Sequence, residues 1–210
     1  MEIERTSVQD VYEEIADHFD KTRPNQWTWI TEFIKETESS SKKLSVLDVG
    51  CGNGRNMMGY TNAEVYGIDN CLRFVNICKN KGLYVTYANM CNIPYPTDYF
   101  NHLMCIAAFH HIATHDRRYQ ALLEMRRIIK PGGTMLLSVW SINQPEKSKI
   151  QFTTSGDTFV PWNKFGKVYE RYYYIFEQDE LYQLFRETGW DIKKHIWDYG
   201  NEIFVLINQH

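Results

Sequence analysis

Apolar residues recur at helical spacing through the first part of the chain. Val8, Val11, Tyr12, Ile15 and Phe19 fall on one face of a helix that Thr6 or Ser7 can cap. A second helix is predicted after Pro24, with Trp27, Ile30, Phe33 and Ile34 on one side. From residue 44 the period changes. Leu44–Val49 is a short apolar run ending in glycines, the pattern of a strand buried on both faces. Glu64–Asp69, Tyr84–Asn89, His102–Ala108 and Thr134–Trp140 repeat it, with Leu72–Asn80 and Arg117–Lys130 as helices between. Lys130-Pro131-Gly132-Gly133 reads as a helix stop and turn. Beyond an irregular stretch, Gln178–Thr188 is a predicted helix closed by Gly189. Asp191–Tyr199 and Glu202–Asn208 then form a strand pair turning at Gly200-Asn201. Alternating strands and helices predict an α/β fold, a doubly wound, mostly parallel sheet with helices on both faces. One domain is expected over 1–210: an N-terminal helical segment (1–41), a core (42–140), a connecting segment (141–177) and a C-terminal helix with its strand pair (178–210).

Composition narrows the class. The formal charge is -3, which excludes a surface basic all over. The charge is unevenly spread: four basic against ten acidic residues up to residue 40, six basic against three acidic between Lys130 and Arg171. The late span, with Lys147, Lys149, Lys164 and Lys167, is therefore a local basic face. No apolar run is long enough to cross a membrane, and MEIERTSVQD has no apolar signal core, so a cytoplasmic protein is expected, with the nucleus open as a further location. Five cysteines, odd in number and without a Cys-x-x-Cys pair, fit free thiols and no zinc site in this chain. Ser39, Ser40 and Ser41, followed by Lys42 and Lys43, form a linker-like patch. Phe, Trp and Tyr make up 15% of the chain, more than a core alone explains.

The first strand ends in Asp48-Val49-Gly50-Cys51-Gly52-Asn53-Gly54. Glycines there let the backbone approach a ligand and adopt positive φ. The third glycine comes one residue earlier than in the dinucleotide fingerprint G-x-G-x-x-G, and Arg55-Asn56 does not complete a P-loop. The form D-x-G-x-G-x-G resembles the first motif of S-adenosylmethionine-dependent methyltransferases of the doubly wound class. That cofactor has no pyrophosphate; it needs close backbone contact and carboxylates for its amino group and ribose. Asp69, ending the second strand, suits the ribose hydroxyls. Asn89, with the Met90 amide, would face the adenine, unless Asn89 merely begins a turn. The fourth strand ends at Ala107, Ala108, Phe109, His110 and His111, where this class places the transferred methyl.

A narrower resemblance covers nearly the whole chain. The opening Val11–Phe19 with Thr22, Arg23 and Trp27, the segment Ile106–Ile112, Arg117-Arg118, Ser138-Val139-Trp140, Asp157–Trp162 and Glu170–Phe176 resemble the eukaryotic tRNA methyltransferases that esterify carboxymethyluridine at the wobble position. Asn70, Pro24-Asn25-Gln26 and a short stretch between Trp140 and Asp157 depart from that family's pattern. The resemblance implies a seven-stranded sheet of order 3-2-1-4-5-7-6, S-adenosylmethionine held by Asp48, Gly50, Cys51, Gly52, Asn53, Gly54, Asp69, Asn89, Met90 and Ala107, and the anticodon loop of tRNA as substrate. It also implies a small zinc-binding activator subunit along the third strand, with Leu83, Val85 and Tyr87 at the interface.

The implied reaction moves a methyl from a sulfonium to a carboxylate that is already ionised at neutral pH, so no general base is required. Positioning dominates. Arg23, His111 and Arg171 are the candidate catalytic groups, and His111 could donate a neutral hydrogen bond to the carboxylate. Candidates for contact with the substrate are these three with His110, Trp140, Trp162, Tyr173, Lys147 and Lys164. Trp162, Tyr172, Tyr173 and Tyr174 could stack a base, but in an extended run at most half can face one pocket. Val160-Pro161-Trp162, on an irregular connection, is a candidate lid. Each residue has a plainer role open to it: a capping histidine for His111, a surface ion pair for Arg171. The competing readings are methylation of a small metabolite and a catalytically silent module of the same fold.

Overall fold

A computed structural model describes residues 1–38 and 43–209; residues 39–42 of the linker-like patch lie outside them. Strands β1 (Leu44–Val49), β2 (Ala63–Asp69), β3 (Tyr84–Tyr87), β4 (Phe100–Ile106) and β5 (Ile129–Trp140) run parallel. Between β5 and the C-terminal strands the chain forms a hairpin of its own, β6 (Gly156–Lys164) and β7 (Lys167–Ile175). Then β8 (Asp191–Asp198) and β9 (Asn201–Ile207) join the main sheet antiparallel, giving the order β3-β2-β1-β4-β5-β9-β8. Counting only strands of the main sheet, this is the implied 3-2-1-4-5-7-6.

The apolar run of β1 has a simple cause. It pairs with β2 on one side and β4 on the other, and Val46, Leu47 and Val49 have no exposed surface. The strand order reverses between β1 and β4, which opens a crevice at the carboxyl ends of the strands. Helix α3 (Thr28–Thr37) covers one face, packing Trp29, Ile30, Phe33 and Ile34 on Val46, Met104 and Leu136. Helices α5 (His115–Ile128) and α6 (Gln178–Glu187) cover the other through Leu122, Met125, Leu181 and Phe185. Helix α4 (Leu72–Asn80) follows β2 with the predicted bounds.

Three expectations need correction. The first helix starts before Thr6: α1 (Glu2–Glu4) continues through a π-helical turn at Arg5–Gln9 into α2 (Asp10–Thr22). The Thr6 hydroxyl donates back to the Glu2 carbonyl at 3.0 Å instead of capping. A tertiary contact sustains the added turn, since Glu4 accepts from the Ala113 amide at 3.0 Å and pairs with Arg117 at 2.8 Å. Lys130-Pro131-Gly132-Gly133 is no turn: α5 ends at Ile128 and β5 begins at the next residue. A bulge in β5, where Lys130–Gly133 stand opposite the single β4 residue Asn101, absorbs the proline and the positive φ of Gly132. Finally, Val160-Pro161-Trp162 lies on β6, not on an irregular connection. Because β7 is the one strand beside it, the proline's missing N–H leaves no ladder bond unmade.

Candidate active site

A cavity of about 470 Å³ opens at the carboxyl ends of β1, β2 and β4, roofed by α2 and walled by β6 and β7. Its floor is the glycine loop. Gly50 and Gly52 have φ of 75° and 53°. A Cβ on Gly50 would stand 2.5 Å from the Ala108 methyl, so the loop backbone packs on that methyl where a side chain has no room. The Gly50 and Cys51 amides donate to the Ile68 carbonyl at 2.8 and 3.0 Å, which stitches the loop to β2. Asn53 ties the loop to the roof: its amide donates to Asp20 at 3.0 Å and to the Arg23 carbonyl at 3.1 Å. Ala107 also holds a positive φ of 52°, fixed by bonds from its N–H to the Ser138 carbonyl and hydroxyl at 3.1 Å each. Strain of this kind in a non-glycine residue persists where the surroundings over-determine it.

The two acids of the loop region differ. Asp69 reaches the cavity, accepting from the Gly52 amide and the Cys71 amide at 2.8 Å each. Burial pushes its carboxyl up to about 6. Asp48 does not line the cavity; it lies fully buried beneath the loop with neither oxygen paired. Burial and then the Asp69 charge push it up to about 7, against the pull of Arg55. Its expected contact with a ligand's amino group is therefore not made directly. Gly54 lies outside the cavity as well, its face closed by Leu83. Asn89 is exposed at the rim and its side-chain oxygen already accepts from the Cys91 amide at 2.9 Å, so it begins a turn. Met90 and Cys51 line the wall.

Opposite the loop stands a cluster of rings and guanidinium groups. Trp162, 7% exposed, stacks on Phe19 with ring centres 5.6 Å apart and donates to His18 at 3.1 Å. Arg23 and Arg171 both lie over its ring, at 5.1 and 4.9 Å. Arg171 is buried, pairs with no carboxylate among the described residues, and leaves its Nε without a partner; the plainer reading as a surface ion pair is excluded. Tyr173 stacks on Trp140 at 4.7 Å and faces the cavity, while Tyr172 turns to Asp157 at 2.7 Å and Tyr174 lies under Arg118 at 3.6 Å. Alternation along β7 thus leaves one of the three tyrosines in the pocket.

His111 requires a correction. Its Nδ1 lies 2.7 Å from the Tyr172 carbonyl and must donate to it, which leaves Nε2 to accept from the Tyr12 hydroxyl at 3.0 Å. Both nitrogens are committed, so His111 has no N–H for a substrate carboxylate. Burial draws its pKa down to about 3. The Tyr12 oxygen in turn accepts from Arg171 at 3.4 Å. Periodicity classed Tyr12 with the apolar stripe of its helix; a hydroxyl on that stripe was the available signal. His110 does not reach the cavity, and its Nδ1 accepts from the Trp140 amide at 3.1 Å. Lys147 and Lys164 do not line it either: Lys147 is exposed and Lys164 donates to the Glu14 carbonyl of α2. Of the implied interface residues, Tyr87 is exposed, Leu83 is half-buried and Val85 is buried against Cys78 and Val75, so Val85 is occupied by the chain's own core.

Among the described residues no three His, Cys, Asp or Glu side chains gather as metal ligands, and no helix is long and apolar enough to cross a membrane.

A family profile described as a methyltransferase domain matches residues 47–137. The tRNA (carboxymethyluridine(34)-5-O)-methyltransferase of Schizosaccharomyces pombe is 31% identical over 96% of this chain and 96% of its own length. The Arabidopsis thaliana protein of the same name is 36% identical over 71% of this chain, which is 36% of its own length. This chain thus spans nearly all of the yeast relative and about a third of the plant one. Two solved structures share the fold. A complex between the Haloferax volcanii Trm112 methyltransferase activator and a methyltransferase matches at TM-score 0.68 and 17% identity over 97% of this chain and 98% of that one. S-adenosylmethionine-bound CalS10, an amino pentose methyltransferase from Micromonospora echinaspora, matches at TM-score 0.68 and 15% identity over 92% and 96%.

Proposed function

The chain belongs to the tRNA (carboxymethyluridine(34)-5-O)-methyltransferase family, and from that premise we propose that it methylates the carboxylate of 5-carboxymethyluridine at the wobble position of tRNA, with Arg171 holding that carboxylate. It is an S-adenosylmethionine-dependent methyltransferase.

The cavity fits that cofactor on two grounds. Gly52 leaves open a space over the floor that a side chain would enter, with nothing within 4 Å of where its Cβ would stand, and Asp69, raised by burial, gains from a ligand that brings hydroxyl donors to its oxygens. When bound, the cofactor supplies an electrophilic methyl on a sulfonium. Gly50, Cys51 and Gly52 would cradle its methionine portion and Asp69 its ribose, while Met90 packs beside the adenine.

The observation that carries the substrate reading is the Arg171 guanidinium. A buried cation without an anion is costly, and an entering carboxylate removes that cost while making charge-assisted bonds. Arg23, exposed at the rim over the same Trp162 ring, closes the other side. Tyr12 fixes Arg171, and His111 fixes Tyr12, so the clamp is oriented before substrate arrives. A small activator subunit would pair with β3, an edge strand that exposes Tyr84 and Tyr87. The Haloferax volcanii complex supports a partner of that kind.

The test incubates the chain, with its activator, with labelled cofactor and tRNA carrying 5-carboxymethyluridine. A base-labile methyl ester is expected, and R171M should lower kcat/KM by about 100-fold or more at unchanged cofactor affinity. An intact complex that yields no ester overturns the reading.

A further inference from the structure

The tip of the β6–β7 hairpin breaks three local rules at once. Its two-residue turn is Phe165-Gly166, closed by the pair Lys164 and Lys167. Both turn residues have positive φ, 51° and 87°. Turns of that geometry take Asn or Asp before the glycine, and a bulky aromatic there is strained. Phe165 is also 86% exposed, with its ring open to solvent apart from an edge contact to His18 at 5.1 Å. Directly opposed like charges destabilise a strand pair, and here two lysines face each other. Packing explains none of this. Asn163 holds the turn by accepting from the Gly166 amide at 2.9 Å, so the ring adds nothing to its closure.

The position explains what packing does not. His18 touches Phe165 on one side and accepts from Trp162 on the other, and both His18 and Trp162 line the cavity. The rings first expected to stack a base are already packed: Trp162 on Phe19, Tyr173 on Trp140, Tyr172 fully buried. We infer that Phe165 is a stacking platform for the unpaired base next to the modified nucleotide, with Lys164 and Lys167 facing the flanking phosphates. The inference rests on the RNA substrate proposed above. Single-stranded loops are recognised by splayed bases on aromatic rings, and two facing lysines complement a polyanion. One acid lies against the tip, Glu14 on α2: its carbonyl takes Lys164 and its carboxylate attracts Lys167, which also lies 4.6 Å over Tyr169.

The experiment measures anisotropy of a fluorescently labelled anticodon stem–loop RNA binding to the wild-type complex and to F165N, F165A and F165W at one fixed salt concentration. F165N and F165A should weaken binding by about 5- to 100-fold, and F165W should bind like the wild type. The melting temperature of F165N should stay level or rise, since asparagine suits the turn, and titration with the demethylated cofactor should be unchanged. F165N binding RNA as the wild type does overturns the inference alone. So does a lower melting temperature in F165N, which makes the ring a structural prop. A wild-type complex that binds the stem–loop no better than an unrelated duplex overturns this inference and the RNA substrate together.

Discussion

At the scale of single residues, burial acts in opposite senses on neighbouring acids and bases. Asp48 and Asp69 are raised to about 7 and about 6, so the folded chain holds protons that the unfolded chain releases near pH 4. Their contribution to stability is complete below about pH 4 and is lost as pH rises through 6 to 7. His111, lowered to about 3, and His110, held well below its usual range by burial, contribute the reverse, losing stability as pH falls below about 6.5. Comparing variants separates the two trends: the melting temperature of D48N relative to wild type should climb between about pH 4 and 7 and then level off. Because His111 stays neutral and the substrate carboxylate is ionised, neither titrates in kcat between about pH 6 and 9, so any transition there belongs to Asp69 and Asp48 and should be altered in D48N. Tyr12 lies between them. Y12F removes its bonds to His111 and Arg171 and should cost about 1–3 kcal/mol of stability and roughly tenfold in kcat, with cofactor affinity retained, as calorimetry and initial rates would report.

Elements reveal what the acidic N-terminus is for. Helix α4 is preceded by Cys71 at its N-cap, whose side chain caps nothing. The cap comes from α2, where Glu13 accepts from the Leu72 and Arg73 amides at 2.5 and 3.1 Å. Asp17 pairs with Arg73 and Asp20 with Lys81, while Glu4 of α1 pairs with Arg117. Four of the ten N-terminal carboxylates, Glu4, Glu13, Asp17 and Asp20, are thus clasps holding the cavity's roof. E13A should lower stability by about 1 kcal/mol and raise hydrogen exchange at the start of α4, since a lost helix cap costs that much. The sequence placed α4 and β1 at their observed bounds because apolar period and flanking glycine are local signals. It misplaced the start of β5 because Lys130–Gly133 form a bulge within that strand, visible only once it pairs with β4.

For the whole molecule, the cofactor should act as a structural tie between floor and roof. At about 100 times its Kd, a ligand selective for the folded state adds about 2.7 kcal/mol, or roughly 5–10 °C in melting temperature for a domain of this size. G50A should lose that shift, because its Cβ would clash with the Ala108 methyl at 2.5 Å and force the loop at the cavity floor to move. Fold class, the glycine loop and the aspartate ending β2 were legible in the sequence, since each depends on neighbours a few residues apart or on a motif that is contiguous, while the order of the main sheet came only through the family resemblance. Which nitrogen of His111 carries the proton, which tyrosine of β7 enters the pocket, and which ring stays bare at the hairpin tip were decided by the tertiary structure alone. These depend on partners far along the chain, 99 residues between Tyr12 and His111 and 144 between His18 and Trp162. Hydrophobic period sets which face of an element is buried; only packing sets which polar atom that face brings to meet another.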